Sequence, residues 1–266
     1  MNEFNLNSIS PIDGRYSDKT EVLSQYFSEK ALIFYRIKVE VEYFISLCNL
    51  GIPQLKKFES KKFDDLRKIY QDFSNEDAIE IKKIEKVTNH DVKAVEYFIK
   101  QKFEVLGISD YKEFIHFGLT SQDINNSAIP LSIKDFINNI YIPKINKVIT
   151  AIENKSEELK DITIIARTHG QPASPTKLGK EFKVFSTRIN EQMKTLKKIP
   201  NSAKFAGAVG NFNAHKVAYP EIDWKEFGQN FIEKELGLNY SFPTTQIEHY
   251  DSFAALCDNC RRINNI

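Results

Sequence analysis

The chain has 266 residues, which is long enough to bury a sizeable core and, by the usual domain size, to form about two domains. Its 37 Lys and Arg residues balance 36 Asp and Glu residues, so no overall positive field exists to attract nucleic acid or an anionic membrane. The first residues carry no apolar run of signal-peptide length and no later segment approaches a membrane span, so we expect a cytoplasmic protein.

Helical periodicity dominates the sequence, and no stretch alternates apolar and polar residues over several strands. The first long helical pattern covers residues 28–50 and stops at Gly51. Further helices are predicted over 63–73, 75–86, from after His90 to near Gly107, 120–159, 177–199, 221–236 and 251–266. Pro130 and Pro143 should each kink a helix or mark a break. This pattern predicts an all-α protein, an elongated helical bundle.

The three cysteines do not predict a metal site. Cys257 and Cys260 have the spacing of a redox or zinc pair, but the remaining cysteine is Cys48, and there is no second pair. A helical pattern surrounds Cys257 and Cys260, which favours thiols in a core or on a helix surface over metal or redox chemistry.

The strongest functional signal is the segment 167–176, which reads Arg-Thr-His-Gly-Gln-Pro-Ala-Ser-Pro-Thr. Gly and Pro break helices and leave polar backbone groups that need partners, so His169 is expected on a shaped loop. Because histidine titrates near neutral pH, a loop histidine is a candidate acid–base catalyst. The alternative is a capping or solvated histidine without a catalytic role.

Two segments combine reactive side chains with predicted helix starts. Residues 88–93, Thr-Asn-His-Asp-Val-Lys, open a helix that Thr88 or Asn89 can cap, and a helix N-terminus attracts anions. The alternative is a plain cap with a solvated histidine. Residues 116–121, His-Phe-Gly-Leu-Thr-Ser, lead into a helix start with two hydroxyls, which suits a carboxylate, although such hydroxyls are usually only caps.

Two further segments carry weaker signals. Residues 13–16, Asp-Gly-Arg-Tyr, form a turn followed by a guanidinium and a phenol, which can hold a phosphate or carboxylate. Their alternative is an ordinary turn with a surface arginine. Residues 244–248, Thr-Thr-Gln-Ile-Glu, offer an amide that could bridge donors and acceptors on a ligand.

In this order and spacing, the motifs resemble those of the adenylosuccinate lyases, a family within the fumarase/aspartase superfamily. The resemblance covers essentially the whole chain and rests on residues 10–16, 88–98, 114–126, 167–180, 207–215 and 244–248. The sequence Thr-His-Gly-Gln-Pro-Ala at 168–173 distinguishes this family from argininosuccinate lyases and fumarases. The chain departs from relatives that read Glu-Pro-His-Asp where it has Glu248-His249-Tyr250-Asp251, so no role is assigned to His249.

The resemblance implies a β-elimination that releases fumarate from adenylosuccinate, giving AMP, and from the succinylaminoimidazole carboxamide ribotide precursor. In such lyases a base removes a proton next to a carboxylate, and an acid protonates the departing nitrogen. His169 corresponds to the acid, and His90 is the second catalytic candidate. The implied substrate-binding residues are Arg15 and Tyr16 for the phosphate, Asn89, His90 and Asp91 for positioning substrate and acid, Thr120 and Ser121 for a succinyl carboxylate, and Thr168 and Gln246.

The resemblance implies no metal or organic cofactor, because fixed donors can stabilise charge that develops on carboxylate oxygens. It also implies an N-terminal helical domain over residues 1–110 and the first part of a central helical bundle over 111–266. In this superfamily the bundle builds a homotetramer whose active sites are shared between subunits. The expected partners are a purine nucleotide substrate and fumarate, without nucleic acid or membrane.

Two other functions are compatible with these motifs. One is a different lyase of the superfamily, such as argininosuccinate lyase, and the other is a non-catalytic structural protein of the crystallin kind. A scaffold has no need of Arg15, His90, Ser121 and His169 together, which argues against the second.

We also expect these 266 residues to belong to a longer polypeptide and to be inactive alone. The apolar stripe of the last predicted helix stops at Ile266 without a terminating Gly or Pro. In addition, the mobile loop that supplies the family's serine base does not occur in the sequence. Without a base, acid assistance alone cannot start an elimination whose first step is deprotonation.

Overall fold

The chain folds mainly into helices, in a computed structural model that describes residues 6–266. The helices are α1 Ser17–Thr20, α2 Ser24–Phe27, α3 Glu29–Leu50, α4 Phe63–Gln71, α5 Asn75–Thr88, α6 Asp91–Val105, α7 Ser121–Phe136, α8 Ile142–Glu158, α9 Leu178–Leu196, α10 Asn213–Ala218, α11 Trp224–Asn230 and α12 Asp251–Asn264. The strands are β1 Thr163–Thr168, β2 Gln171–Lys177, β3 Ser202–Ala203 and β4 Asn239–Tyr240. Helices account for 66% and strands for 7% of the residues, which confirms the all-α class. Within residues 6–266, no helix combines the length and the apolar character needed to cross a membrane.

The predicted limits of α3 are confirmed. Ser28 Oγ accepts a hydrogen bond from the Ala31 amide at 3.1 Å, which satisfies one free donor of the first turn. Gly51, with a φ of 80°, ends the helix. Apolar residues on several sides of α3 are fully buried, among them Ile37 and Leu47. A helix that is apolar around most of its circumference belongs in the core.

The two prolines of the predicted long helix behave differently. Helix α7 continues through Pro130, so of the two outcomes predicted for this proline, a kink or a break, the break does not occur. Pro143 is the second residue of α8 and follows a π-helical segment, Ile137–Tyr141. Proline cannot donate the amide hydrogen bond of a regular helix, and the π-helical segment directly before Pro143 is where the regular hydrogen-bond pattern is interrupted. Of the two prolines, Pro143 is therefore the one that lies beside an interruption of the regular α-helix.

The chain divides into two compact units. Unit 1 contains the described residues up to Lys134 together with Asn201–His249, and unit 2 contains Asp135–Pro200 and Tyr250–Ile266. In unit 1, an aromatic cluster joins α3 to the returning segment: the ring centroids of Tyr43 and Phe205 lie 5.2 Å apart, and those of Phe205 and Phe231 lie 4.8 Å apart. The division into residues 1–110 and 111–266 stays a prediction.

Unit 2 contains α8, α9, α12 and a β-hairpin formed by β1 and β2. The strands pair antiparallel with Thr168 opposite Gln171. The sequence pattern did not predict this hairpin, although the all-α class holds. The β-branched residues at the start of β1 favour a strand, but Pro172 and Pro175 in β2 remove ladder donors and obscure the pattern. At the base of the hairpin, a Cβ on Gly179 would lie 2.2 Å from the Ser156 carbonyl oxygen, so α9 can approach α8 only with glycine there.

Candidate active site

His90 is the N-cap of α6, although the sequence had favoured Thr88 or Asn89. Helix α5 continues through Thr88, and Asn89 ends it in the left-handed conformation with a φ of 52°. The Nδ1 atom of His90 accepts a hydrogen bond from the Lys93 amide at 3.1 Å. A ring nitrogen that accepts carries a lone pair, so the proton of the neutral imidazole lies on Nε2.

The Nε2 atom of His90 lies 3.2 Å from the hydroxyl oxygen of Ser121, the first residue of α7. With the proton on Nε2, His90 donates and Ser121 accepts. The structure thus brings together two predicted site residues that are 31 positions apart, at the starts of two helices. Two helix N-termini provide a local positive potential that favours a carboxylate or phosphate.

Asp91 is held by a buried arginine that sequence reasoning did not select. Arg36, on α3, donates through a terminal nitrogen to Asp91 Oδ2 at 2.6 Å and through Nε to Asn125 Oδ1 at 2.9 Å. Partial burial raises the pKa of Asp91, but the Arg36 charge and the Val92 amide outweigh that effect and hold the pKa below its usual value. Asp91 is therefore ionised near neutral pH.

A cleft of about 540 Å³ opens beside these groups in unit 1. It is lined by residues of α3, α5 and the start of α6: Glu29, Leu32, Arg36, Lys82, Glu85, Lys86, Asn89, His90 and Asp91. The lining is mostly charged and includes both signs, which suits a polar ligand with anionic and donor groups. Three predicted site residues, Asn89, His90 and Asp91, thus share one cleft.

The loop before α7 is anchored to α3 by the buried carboxylate of Glu40. This carboxylate accepts the His116 amide at 3.2 Å and contacts His116 Nδ1 at 2.5 Å. His116 itself has a φ of 58°, unusual for a residue with a side chain. Burial lowers the pKa of His116, but the charge of Glu40 outweighs burial and raises it overall. The Glu40 carboxylate therefore anchors the loop to α3 through both the backbone and the ring of His116.

A second anchor lies one helical turn further along α3. The Tyr43 hydroxyl donates to the Phe117 carbonyl oxygen at 2.7 Å, and His215 Nε2 lies 3.0 Å from the same hydroxyl. Burial lowers the pKa of His215 to about 4, so its ring is neutral at physiological pH. A Cβ on Gly118 would lie 2.8 Å from the His215 ring, so only glycine lets the loop pack against it.

The first turn of α7 is fixed by Asp123, which is fully buried. Its Oδ2 accepts the Thr120 amide at 2.9 Å, and its Oδ1 accepts the Nζ of buried Lys204 at 2.7 Å. The backbone amides of Ala206 and Gly207 also donate to Oδ1, at 2.9 and 3.1 Å. A buried carboxylate with this many donors is well compensated. Thr120 and Ser121 thus lie at a rigid helix start.

The segment that carries Gln246 is attached to the same helix. Asn126 Oδ1, on α7, accepts the Glu248 amide at 2.8 Å. The Gln246 side chain is exposed, whereas Thr244 and Glu248 on either side of it are buried. The amide is therefore held on a fixed backbone and open to a ligand.

Arg15 and Tyr16 follow a hydrogen-bonded turn, as the sequence predicted. The amides of Asp13 and Gly14 both donate to the Ser10 carbonyl oxygen, at 3.2 and 3.1 Å. Arg15 and Tyr16 are exposed, and the guanidinium lies over the Tyr16 ring, 5.6 Å from its centroid. Both side chains are available to a ligand in solution.

His169 and Gly170 form the two-residue turn of the β1–β2 hairpin in unit 2. Their φ angles are 51° and 75°, both positive as a type I′ turn requires. Thr168, the last residue of β1, is exposed, as is His169. The predicted loop position of His169 is confirmed, and the hairpin that creates the loop is the feature that the sequence reasoning missed.

Nothing in the described part of the chain is arranged as a metal centre: no group of three or more His, Cys, Asp or Glu side chains could hold an ion there. Cys257 and Cys260 are free thiols on α12, which agrees with the helix-surface interpretation of this pair.

A family model described as lyase matches residues 14–266. The chain belongs to the lyase family. It is 51% identical to the adenylosuccinate lyase of Dictyostelium discoideum over 271 residues, and 41% identical to that of Escherichia coli strain K12 over 263 residues. Each match covers 98% of this chain and 58% of the relative, so the chain spans less than two thirds of the length of these relatives.

Solved structures with the same fold are more distant in sequence. A fumarate lyase from Mesorhizobium sp. BNC1 gives a TM-score of 0.73 at 18% identity, covering 92% of this chain and 54% of that one. The β-carboxy-cis,cis-muconate cycloisomerase of Acinetobacter calcoaceticus sp. ADP1 gives 0.68 at 19% identity, covering 91% and 54%. These likenesses establish the fold as that of the fumarase/aspartase type.

Proposed function

We propose that the chain carries the greater part of the active site of a lyase that eliminates fumarate from adenylosuccinate, leaving AMP. The same reaction would release fumarate from succinylaminoimidazole carboxamide ribotide. The observation that carries the proposal is the contact of His90 Nε2 with the Ser121 hydroxyl at two helix starts. The names of the relatives support the choice of substrate.

The proposed reaction begins when a base takes the proton next to one succinyl carboxylate. The electron pair left behind is delocalised onto that carboxylate, where Thr120, Ser121 and the α7 N-terminus stabilise the charge. The pair then forms the carbon–carbon double bond of fumarate while the carbon–nitrogen bond breaks. His169 gives its proton to the departing nitrogen of the purine nucleotide.

The remaining predicted residues bind and orient the substrate in this proposal. Arg15 and Tyr16 hold the phosphate through a planar fork and a hydroxyl. Asn89, His90 and Asp91 position the substrate, and His90 is a second catalytic group because its Nε2–H can donate a hydrogen bond or a proton to the succinyl moiety. Thr168 and Gln246 complete the contacts. The reaction needs no cofactor, since protons and electron pairs are redistributed without oxidation.

We also propose that the active protein is a cytoplasmic homotetramer with shared active sites. Two features of unit 2 support an assembly. Both faces of the His169 hairpin are mostly exposed, and an isolated two-stranded hairpin is only marginally stable. An apolar groove of about 410 Å³ is lined mainly by Ile145, Val148, Phe182, Phe185, Ile189 and Ile263, which is a surface suited to another helix.

The test is fumarate release from adenylosuccinate, measured beside release from argininosuccinate. We expect the full-length gene product that contains these residues to act on adenylosuccinate, and residues 1–266 alone to be inactive because they lack the serine base. Turnover of argininosuccinate alone would contradict the substrate assignment. Turnover by residues 1–266 would mean that the base lies among the residues assigned here to binding, with His90 the first to examine.

A further inference from the structure

We propose that Arg36 is a positioning residue that fixes the tautomer of His90 and so directs the Nε2–H of His90 at Ser121. The inference rests on the function proposed for the His90–Ser121 pair. The geometry on which it depends belongs to unit 1 alone.

Arg36 links the two helix starts that carry the pair. One arm of its guanidinium reaches Asp91 Oδ2 on α6 at 2.6 Å, and Nε reaches Asn125 Oδ1 on α7 at 2.9 Å. The Arg36 side chain is 6% exposed, whereas that of Asp91 is 43% exposed. The arginine is therefore the immobile partner, and the carboxylate would be free to turn without it.

His90 is the group toward which a released carboxylate would turn. Asp91 Oδ1 lies 3.6 Å from His90 Nδ1, beyond hydrogen-bond range. At present Arg36 holds Asp91 Oδ2, and the Val92 amide donates to Oδ1 at 2.8 Å. Both carboxylate oxygens are thus engaged by donors other than the imidazole.

The two arrangements of Asp91 require different tautomers of His90. A carboxylate on Nδ1 requires a proton there, because a carboxylate can only accept. The ring would then lose the bond from the Lys93 amide that caps α6, and Nε2 would present a lone pair to Ser121. By retaining Asp91, Arg36 keeps Nδ1 as an acceptor and Nε2 as a donor.

A lysine could replace the charge but not the geometry of Arg36. The guanidinium offers a rigid planar set of donors that reaches two acceptors at once, whereas an ammonium is a single point of charge on a flexible stem. Arg36→Lys should therefore retain the pairing with Asp91 and lose the link to Asn125, while Arg36→Gln should release Asp91.

The experiment is nitrogen-15 NMR of the histidine rings in the 266-residue chain, at a pH where His90 is neutral. The chemical shifts of the two ring nitrogens report which one carries the proton. The variants are Arg36→Gln and Arg36→Lys, with Arg67→Gln as the matched control. Arg67 also forms a guanidinium fork from one helix to another, donating to Glu42 at 3.0 and 3.2 Å, but it does not line the cleft.

We expect His90 to be an Nε2–H tautomer in the unmodified chain and in Arg67→Gln. In Arg36→Lys it should shift partly toward Nδ1–H, because a flexible ammonium without the link to Asn125 holds Asp91 less firmly, and in Arg36→Gln it should shift further. The double variant Arg36→Gln with Asp91→Asn should return to Nε2–H, because no carboxylate remains to capture the proton. A merely structural role for Arg36 would not give that return.

If a folded Arg36→Gln chain kept the unmodified tautomer, the inference would be wrong. If Arg36→Gln does not fold, Asn125→Ala removes one arm, and a smaller shift toward Nδ1–H supports the inference whereas no shift overturns it.

Kinetics separate this inference from the function on which it rests. In the full-length gene product, Arg36→Gln should lower kcat for adenylosuccinate by about 10-fold or more, as expected when a proton donor is wrongly oriented, with a smaller change in KM. A shifted tautomer with no turnover of adenylosuccinate by the unmodified enzyme would refute the proposed function and leave the role of Arg36 standing. A shifted tautomer with unchanged kcat would refute the functional part of the inference.

Discussion

The two histidines assigned to the reaction differ in the support that their own units give them. His90 has a protein partner on each ring nitrogen, the Lys93 amide and the Ser121 hydroxyl. His169 lies in an exposed two-residue turn, where the positive φ of 51° fixes its backbone but leaves its ring in solvent. His90 in unit 1 is thus preorganised by protein groups, whereas unit 2 by itself leaves His169 exposed.

The largest expected effect concerns the exposed His169. His169→Asn should keep the hairpin, because asparagine is favoured at the positive φ of a type I′ turn, but it removes the imidazole proposed as the acid. In the full-length gene product we expect turnover of adenylosuccinate to fall by ~10²–10⁴-fold, with substrate binding much less affected. Steady-state kinetics and calorimetry measure the two quantities.

The matched control for this change is His249→Asn, which makes the same replacement at an exposed histidine with no assigned role. It should leave turnover unchanged. Near-normal turnover in purified His169→Asn would remove His169 from the acid role. His90 would then be the candidate for the acid.

The next effect concerns the buried ion pair of Asp123 and Lys204 in unit 1. Asp123→Asn leaves the buried Lys204 ammonium without its counter-charge, and breaking a buried pair in this way costs roughly 3–5 kcal/mol. Chemical denaturation of the 266-residue chain should show this loss in the free energy of unfolding. The control is Glu157→Gln, which breaks an exposed pair with Lys160 and should change little. Equal stability of the two variants would mean that Asp123 does not anchor the start of α7.

The smallest effect is a pH dependence from the anchor at His215. Burial depresses its pKa to about 4 in the folded chain, below the ordinary value of 6.5. The unfolded chain therefore binds a proton first, so stability is full above about pH 6.5 and falls as the pH drops toward 4, by on the order of 3 kcal/mol. Unfolding curves at several pH values should show this loss, and His215→Gln should lack it. A parallel pH dependence in both proteins would contradict the buried neutral ring.

Local signals in the sequence were sufficient for most helices. Ser28 and Gly51 specify the limits of α3, and a helix start was expected at Thr120 and Ser121. The hairpin was missed because Pro172 and Pro175 read as loop residues, although edge strands tolerate them. The sequence nevertheless indicated the loop position of His169, because the turn needs Gly170.

The buried anchors could not be predicted from local patterns. Lys204 and Asp123 are separated by 81 positions, and lysine is a residue type that is almost never fully buried. The N-cap of α6 was expected at Thr88 or Asn89, because threonine and asparagine are preferred N-caps and histidine is not. Arg36 lies in an apolar helix, where its partners on α6 and α7 become visible only in three dimensions.

We propose that the starts of α6 and α7 form a carboxylate-binding site within unit 1. Titration of fumarate into the nitrogen-15-labelled 266-residue chain tests it most directly, with the backbone amide signals of Ser121 and Lys93 as the readout. We expect saturable shifts of both signals, and we expect Ser121→Ala to weaken them. Saturable shifts elsewhere in the chain, with Ser121 and Lys93 unmoved, would contradict it.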